Sequence, residues 1–252
     1  MQEYGYYMRG RKSKIHNGET GFRGNKTIIT KGSLIRLYTK MKNHFGFRDW
    51  WPADTNFEIL VGAILTQQAS WKSVEHAIGK LKEINSIDID SIISMPKKRL
   101  YGCIRETGYF RQKADNLKSI CKSIRKDYKS LEILLALNDK DLRRILLSKK
   151  GIGNETCDSI MLYAANKLVF VIDAYTKRIM SRVFGIDENI EYSKLQLFIQ
   201  ANLPKNLTLY KDFHAQFVEL GKNYCKKSIP LCDKCPLNKI CRYSLGITKQ
   251  YA

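Results

Sequence analysis

Four cysteines fall close together as Cys225-x6-Cys232-x2-Cys235-x5-Cys241. Thiolates at this density can wrap one tetrahedral site. Cys232-x2-Cys235 supplies a tight two-ligand turn, and Pro230 and Pro236 stiffen the loop around it. The donor set admits zinc or an iron–sulfur cluster. Zinc sites of this kind usually show two Cys-x2-Cys knuckles and here there is one, so spacing alone leaves the metal open. Cys103, Cys121 and Cys157 sit in apolar helical patterns and read as buried thiols. The odd total of seven cysteines and the lack of a secretory signal argue against a disulfide framework. Lys226, Lys227, Lys234, Lys239 and Arg242 stud the loop with cations suited to phosphate.

A second constellation lies at 139–166, DKDLRRILLSKKGIGNETCDSIMLYAAN. One amphipathic helix ends near Lys149, Gly151-Ile152-Gly153 makes a tight turn, and a second helix starts near Asn154. Glycines without Cβ atoms let a phosphate approach backbone N–H groups at a helix N-terminus. Ile152 would be buried between the helices, with Lys149 and Lys150 flanking the turn. A lone Gly-x-Gly also serves many turns that bind nothing. Farther on, Asp173 follows the apolar run VFVI and precedes the helix TKRIMSRVF, where its plainest role is an N-cap.

The elements that must hold these residues are helices almost throughout. Leu34, Leu37 and Met41 recur at helical spacing. Thr55 and Glu58 fit a capping box that opens FEILVGAILTQQ, apolar on nearly all sides and expected to be a buried central helix. Ser70 can cap a helix striped by Val74, Ala77, Ile78 and Leu81. Further helical patterns span 88–94, 97–105, 111–126, 130–136, 139–148, 154–166, 174–183, 193–202 and 208–224, with Gly108 and Gly185 as stops. In the last pattern Phe213, Phe217, Leu220 and Tyr224 share a face that can pack the cysteine loop onto the body. Only residues 169–172 have strand-like composition, too short for a sheet. The expected class is all-α.

The chain has 252 residues, with 44 Lys+Arg against 24 Asp+Glu and a net charge of +20. That excess favours polyanions through counterion release, or else reflects a uniformly lysine-rich surface. No apolar run approaches bilayer-spanning length, and a soluble intracellular protein is expected. Residues 1–29, rich in Gly, Lys, Arg and Asn, read as a flexible basic N-terminal arm.

In combination, LTQQAS (65–70), GIGNET (151–156), VIDAY (171–175) and the four cysteines resemble the endonuclease III superfamily of helix–hairpin–helix DNA glycosylases, over about residues 33–243. The resemblance implies two helical domains with an interdomain cleft: a six-helix domain at 52–167 ending in the helix–hairpin–helix, and an iron–sulfur domain of 30–51 plus 168–246. It implies a [4Fe–4S] cluster on Cys225, Cys232, Cys235 and Cys241, and so decides iron over zinc. It places the catalytic aspartate at Asp173 and the residue that fills the gap left by a flipped nucleotide at Gln68. Lys149, Lys150, Gly151, Ile152 and Gly153 would contact DNA, with a monovalent cation on the hairpin carbonyls.

One departure stands out. Bifunctional members carry a lysine two residues after the second hairpin glycine, and here that position is Glu155, which cannot form an imine. The expectation is therefore a monofunctional glycosylase that uses water, with β-lyase activity absent. Glu155 with Trp50, Trp51, Pro52, Trp71 and Tyr175 resembles the base pocket of the 3-methyladenine glycosylase branch. A methylated purine is cationic, stacks on electron-rich rings and leaves readily. Alternatives are a bifunctional enzyme for oxidised pyrimidines, a mismatch uracil or thymine glycosylase, an inactive damage binder, and a transcription-associated zinc protein. The expected partner is duplex DNA with a damaged base, the expected state a monomer, and the expected location the cytoplasm at the nucleoid.

Overall fold

The computed structural model describes the backbone of residues 22–24 and 27–247 and the side chains of 29–247. A short antiparallel hairpin, β1 (Phe22–Gly24) and β2 (Thr27–Ile29), pairs Phe22 with Ile29 and Gly24 with Thr27. It corrects the reading of 1–29 as wholly unstructured. Ile29 is fully buried, which gives this end of the arm an apolar anchor. Residues 1–21 lie outside the described part.

The rest is helical, as the periodicity predicts. Helix α1 (Lys31–Phe45) buries Leu34, Leu37 and Met41 and carries a capping box between Thr30 and Ser33. Helix α2 (Asn56–Leu65) is buried from Phe57 to Leu65. Thr55 accepts from the Glu58 N–H as expected, but the Glu58 side chain does not close the box. It accepts from the Asp54 N–H and pairs with Lys82, whose charge satisfies an otherwise buried carboxylate. Helix α3 (Trp71–Glu83) is capped by Ser70. Then come α4 (Ile89–Ser94), α5 (Lys97–Ile104), α6 (Phe110–Ser123), α7 (Leu131–Leu135), α8 (Asp139–Leu147) and α9 (Asn154–Ser159), which runs on into a π-helical turn, Ile160–Ala164. The chain closes with α10 (Ala174–Phe184), α11 (Tyr192–Asn202) and α12 (Leu207–Asn223). No described helix is long and apolar enough to cross a membrane.

Helix α2 packs against the α9 arm and α6, with α3 on α5 and α4 on α6. Two buried lysines close helix ends within this group. Lys118 Nζ donates to the carbonyls of Ile92, Ile93 and Met95, and Lys113 Nζ to those of Leu65 and Thr107. Helices α1 and α10 both pack on α12, which also meets the π-helical turn.

The segment 169–172, strand-like by composition, forms no strand. It is extended and buried, and its backbone is paired by a polar stripe on α11. Gln200 Oε1 accepts from the Phe170 N–H, Gln196 Nε2 donates to the Phe170 carbonyl, and the Tyr192 hydroxyl accepts from the Ile172 N–H. Tyr192, Gln196 and Gln200, four residues apart, share one helix face. Two of them are fixed by Asp158 on α9, which is fully buried and accepts from Tyr192 at 2.7 Å and Gln196 at 2.6 Å while pairing with Arg143. Asp158 thus ties the hairpin helix to the segment that ends in Asp173.

An asparagine here keeps one acceptor oxygen but sets an NH2 against donors the second carboxylate oxygen now satisfies, and leaves the Arg143 charge unpaired. Asp158→Asn is expected to lower the unfolding free energy by about 3–5 kcal/mol, the range for breaking a buried ion pair. Chemical denaturation followed by circular dichroism measures it, and a loss below about 1 kcal/mol would show the carboxylate to be dispensable.

Candidate active site

Asp173 is the N-cap of α10, as its local sequence predicts, and the cap delivers its carboxylate into a buried site. Oδ1 accepts from the Thr176 N–H at 2.7 Å. Oδ2 faces His214 Nε2 at 3.5 Å, within ion-pair range but longer than a well-formed hydrogen bond. His214 Nδ1 lies 2.7 Å from the Tyr163 hydroxyl, which also reaches the Lys211 carbonyl at 3.2 Å. Asp173, His214 and Tyr163 come from α10, α12 and the π-helical turn. The sequence reading missed His214 and Tyr163. Their only signal was a polar residue on each of two otherwise apolar helix faces.

The aromatic wall forms in part as expected. Trp50, Trp51 and Trp71 pack on one another with ring centroids 4.8–5.7 Å apart, and Trp51 meets Tyr163 at 5.4 Å. Helix α12 holds the loop that carries Trp50 and Trp51. Asp212 accepts from the Arg48 N–H and the Tyr38 hydroxyl, Gln216 donates to the Gly46 carbonyl, and Glu219 pairs with Arg48. The Lys222 ammonium stands 5.5 Å over the Trp50 ring. The Nε1 atoms of both Trp50 and Trp51 are buried without a hydrogen-bond partner among the described residues. Pro52 is exposed beside them. Tyr175 does not pack with the tryptophans but stays within the electrostatic reach of Asp173. Its ring rests on Gly221, where a Cβ would come within 2.2 Å, and Arg178 covers it at 5.1 Å.

At the hairpin, Gly151 has a left-handed φ of 82°, and a Cβ there would fall 1.9 Å from Asn116 Nδ2. Ile152 is buried, as expected. Nothing lies within 4 Å of a Cβ built on Gly153, so the start of α9 is open. Lys150 is exposed, and Lys149 is half exposed and donates to Ser123 at 2.6 Å. Gln67, not singled out from sequence, donates to the Gly151 carbonyl at 2.7 Å and Thr156 Oγ1 at 2.9 Å. Its neighbour Gln68 holds a left-handed φ of 52° on the turn after α2, an uncommon conformation for a side-chain-bearing residue. The Lys113 link brings that turn beside Tyr109, exposed and also left-handed.

The four loop cysteines line one small recess together with Arg182, Tyr224 and Tyr243. All are free thiols. Burial pushes Cys235 up to about 11 and also raises Cys232 and Cys241. Among the described residues, no group of three or more His, Cys, Asp or Glu is drawn tightly enough to hold a metal ion. The donor chemistry does fit a thiolate-bound group. Four sulfurs face a shared space, and Arg182 Nη1 donates to Cys225 Sγ at 3.3 Å. Arg178 Nε donates to the Cys225 carbonyl at 2.8 Å, so α10 runs from Asp173 to this loop.

The HhH-GPD superfamily of base excision DNA repair proteins matches residues 61–205, from α2 to the start of the α12 segment. The chain belongs to this superfamily. It is the helix–hairpin–helix glycosylase superfamily that GIGNET and VIDAY resemble. A Methanocaldococcus jannaschii protein named as a DNA repair glycosylase is 42% identical over 211 residues, covering 82% of this chain and 95% of the relative. A thymine/uracil-DNA glycosylase of Methanothermobacter thermautotrophicus is 28% identical, covering 61% and 67%. Among solved structures, the H. pylori 3-methyladenine DNA glycosylase bound to 1,N6-ethenoadenine superposes with a TM-score of 0.68 at 27% identity, covering 77% and 98%.

In the HhH-GPD chain described here, two carboxylates are driven apart. Burial works against ionisation of Asp173, but His214 and the Thr176 N–H outweigh it and hold the carboxyl below its ordinary value. Glu155, in the first turn of α9, is surrounded by protein yet open to solvent on one side. Burial and then the Asp173 charge push it up to about 7. Pairs separated in this way mark acid and base roles. Because the folded pKa is raised, the Glu155 contribution favours folding below its ordinary value near 4.5 and is lost as pH rises through 7. Glu155→Gln is therefore expected to raise the melting temperature at pH 8 and to leave it nearly unchanged at pH 4. Equal shifts at both pH values would contradict the raised pKa.

Proposed function

We propose that this DNA glycosylase is monofunctional and releases its target base by water. One observation carries the reading: Asp173 is buried and ionised at the start of α10, and the residue beside the hairpin that faces it is the carboxylate Glu155 rather than an amine. The hairpin opening at Gly153 and the exposed Lys150 would seat a backbone phosphate, and residues 52–167 and 30–51 with 168–246 would form the two walls of the cleft. Flipping the nucleotide costs a few kcal/mol of stacking, less at a lesion. Gln68 and Tyr109, on adjacent exposed turns, would fill and flank the vacated space.

The C1′–N bond then breaks with its electron pair going to the base. Asp173 faces the oxocarbenium-like sugar, stabilises its charge and takes the proton of the water whose oxygen bonds to C1′. The base leaves as an anion and takes a proton from solvent as Asp173 gives back the one it accepted, so the products are the free base and an abasic site.

The wall favours a neutral base bearing ring carbonyls, of the uracil or thymine kind. Lys222 already covers the Trp50 face a cationic base would need, while the Trp51 Nε1 is turned onto Gly62 of α2. An alkylated purine, the sequence expectation, is the second reading. The packed tryptophans and the likeness to the H. pylori structure favour it. In the loop, Cys225, Cys232, Cys235 and Cys241 would hold a [4Fe–4S] cluster. Bound there, it supplies a rigid clamp that presents Lys226, Lys227 and Lys234 to DNA.

A base-release assay over duplexes with uracil, thymine mismatches, alkylated purines and oxidised pyrimidines separates the readings. Uracil or mismatched thymine should be released fastest, and release of alkylpurines alone would favour the second reading. Asp173→Asn should slow release by about 10²- to 10⁴-fold while lesion binding persists, the range for loss of an acid–base group. Borohydride should trap no covalent adduct, and strong trapping would overturn the monofunctional reading. Anaerobically purified protein should be brown and contain about four irons per chain, and stoichiometric zinc would refute the cluster.

A further inference from the structure

We infer that His214, backed by the Tyr163 hydroxyl, is the positioning residue that keeps Asp173 oriented and ionised for base release. The inference rests on the hydrolytic role proposed for Asp173 and adds a second residue to that site.

The argument begins with the hydrogen-bond inventory. His214 is buried inside α12, and its Nε2 has no hydrogen-bond partner among the described residues. The nearest acceptor is Asp173 Oδ2 at 3.5 Å. A buried imidazole nitrogen with nowhere else to turn costs free energy unless it meets that oxygen. A carboxylate accepts and cannot donate, so it selects the forms of His214 that carry a proton on Nε2. The other ring nitrogen is already committed. Tyr163 holds Nδ1 at 2.7 Å, which fixes the ring plane, and the Tyr163 oxygen is itself tied to the Lys211 carbonyl at 3.2 Å. The hydroxyl has a single proton: given to Nδ1 of the neutral ring it leaves the Lys211 carbonyl, and given to that carbonyl it leaves the Tyr163 oxygen to accept from Nδ1 of the charged ring. In both forms Nε2–H points at Asp173.

The second oxygen of Asp173 is occupied independently by the Thr176 N–H. Each carboxylate oxygen therefore has its own donor, one from the helix N-terminus and one from α12, and the carboxylate cannot rotate without losing both. His214 owes its own position to α12, whose Asp212 and Gln216 clamp the residues around Gly46 and Arg48. The same helix thus sets the aromatic wall and the aspartate. The other ionisable groups around the pair are Glu155 from α9, Tyr175 and Lys177 from α10, and Lys211 and Asp212 from α12. Of these, Glu155 and Asp212 oppose a second negative charge.

The test uses the full-length protein and the variants His214→Leu, His214→Gln and Tyr163→Phe. Carbon-13 carboxyl NMR follows the titration of Asp173, assigned by its loss in Asp173→Asn. Single-turnover release from a uracil-containing duplex gives the pH–rate profile, and duplex affinity is measured alongside. In His214→Leu the Asp173 midpoint should rise by about one pH unit or more, a tenfold change in ionisation, and the acid limb of the rate should move with it. Affinity for the duplex should stay within about twofold, since the loss falls on the chemical step. His214→Gln keeps an N–H toward Asp173 and should recover most of the rate. Tyr163→Phe should fall between the two. An Asp173 midpoint unchanged in His214→Leu overturns the inference, and so does a rate loss matched by an equal loss of affinity. If the wild type releases no base from any duplex, the glycosylase reading fails, while the NMR titration still decides the role of His214.

Discussion

The site depends on keeping one carboxylate ionised while most of its water is removed. Burial alone would protonate Asp173, and a protonated acid neither stabilises a cationic sugar nor accepts a proton. The fold answers with donors on both oxygens. The Thr176 N–H is supplied by starting a helix at Asp173, and the imidazole by laying α12 across it. Much of the surrounding architecture serves these two placements. Asp158 orders the α11 stripe that leads the chain into Asp173, and Asp212 locks the wall loop to the helix that bears His214. Two fully buried aspartates thus act as fasteners around a third.

The sequence revealed features whose information is local. Cysteine spacing, a glycine turn between two helices and an N-cap are each written within twenty or so residues, and the helical periodicity placed nearly every helix. Features built from distant partners were not legible. Tyr163 and His214 are 51 residues apart, and Arg48 and Asp212 are 164 apart. Lys113 is separated by 48 residues from the carbonyl it caps. In the linear sequence each reads as an ordinary polar residue of a helix or loop. The apolar run 169–172 forms no sheet, as its length implied, and a stripe of side chains on α11 pairs its backbone instead. The Thr55–Glu58 box does not close. A lysine on α3 offered Glu58 a stronger partner than the backbone it was expected to reach.

The aromatic residues show how far type differs from placement. Three tryptophans and Tyr175 look alike as candidates for a base pocket, yet only the tryptophans pack together, and their further partner is Tyr163. Tyr175 instead lies flush against Gly221, which leaves that position on α12 no room for a side chain. Ring faces in such a cluster are a limited resource. Lys222 takes one, and neighbouring rings take others.

Glu155 carries a consequence for how this scaffold diversifies. It stands at the mouth of the hairpin helix, electrostatically coupled to Asp173, on a backbone that would hold any long side chain in the same direction. Glutamate and lysine codons differ by a single base. One transition in the gene would exchange the carboxylate for an amine and bring in imine chemistry without moving a helix. The two reaction types are neighbours in sequence space, and lineages can cross between them in either direction while the fold stays as it is.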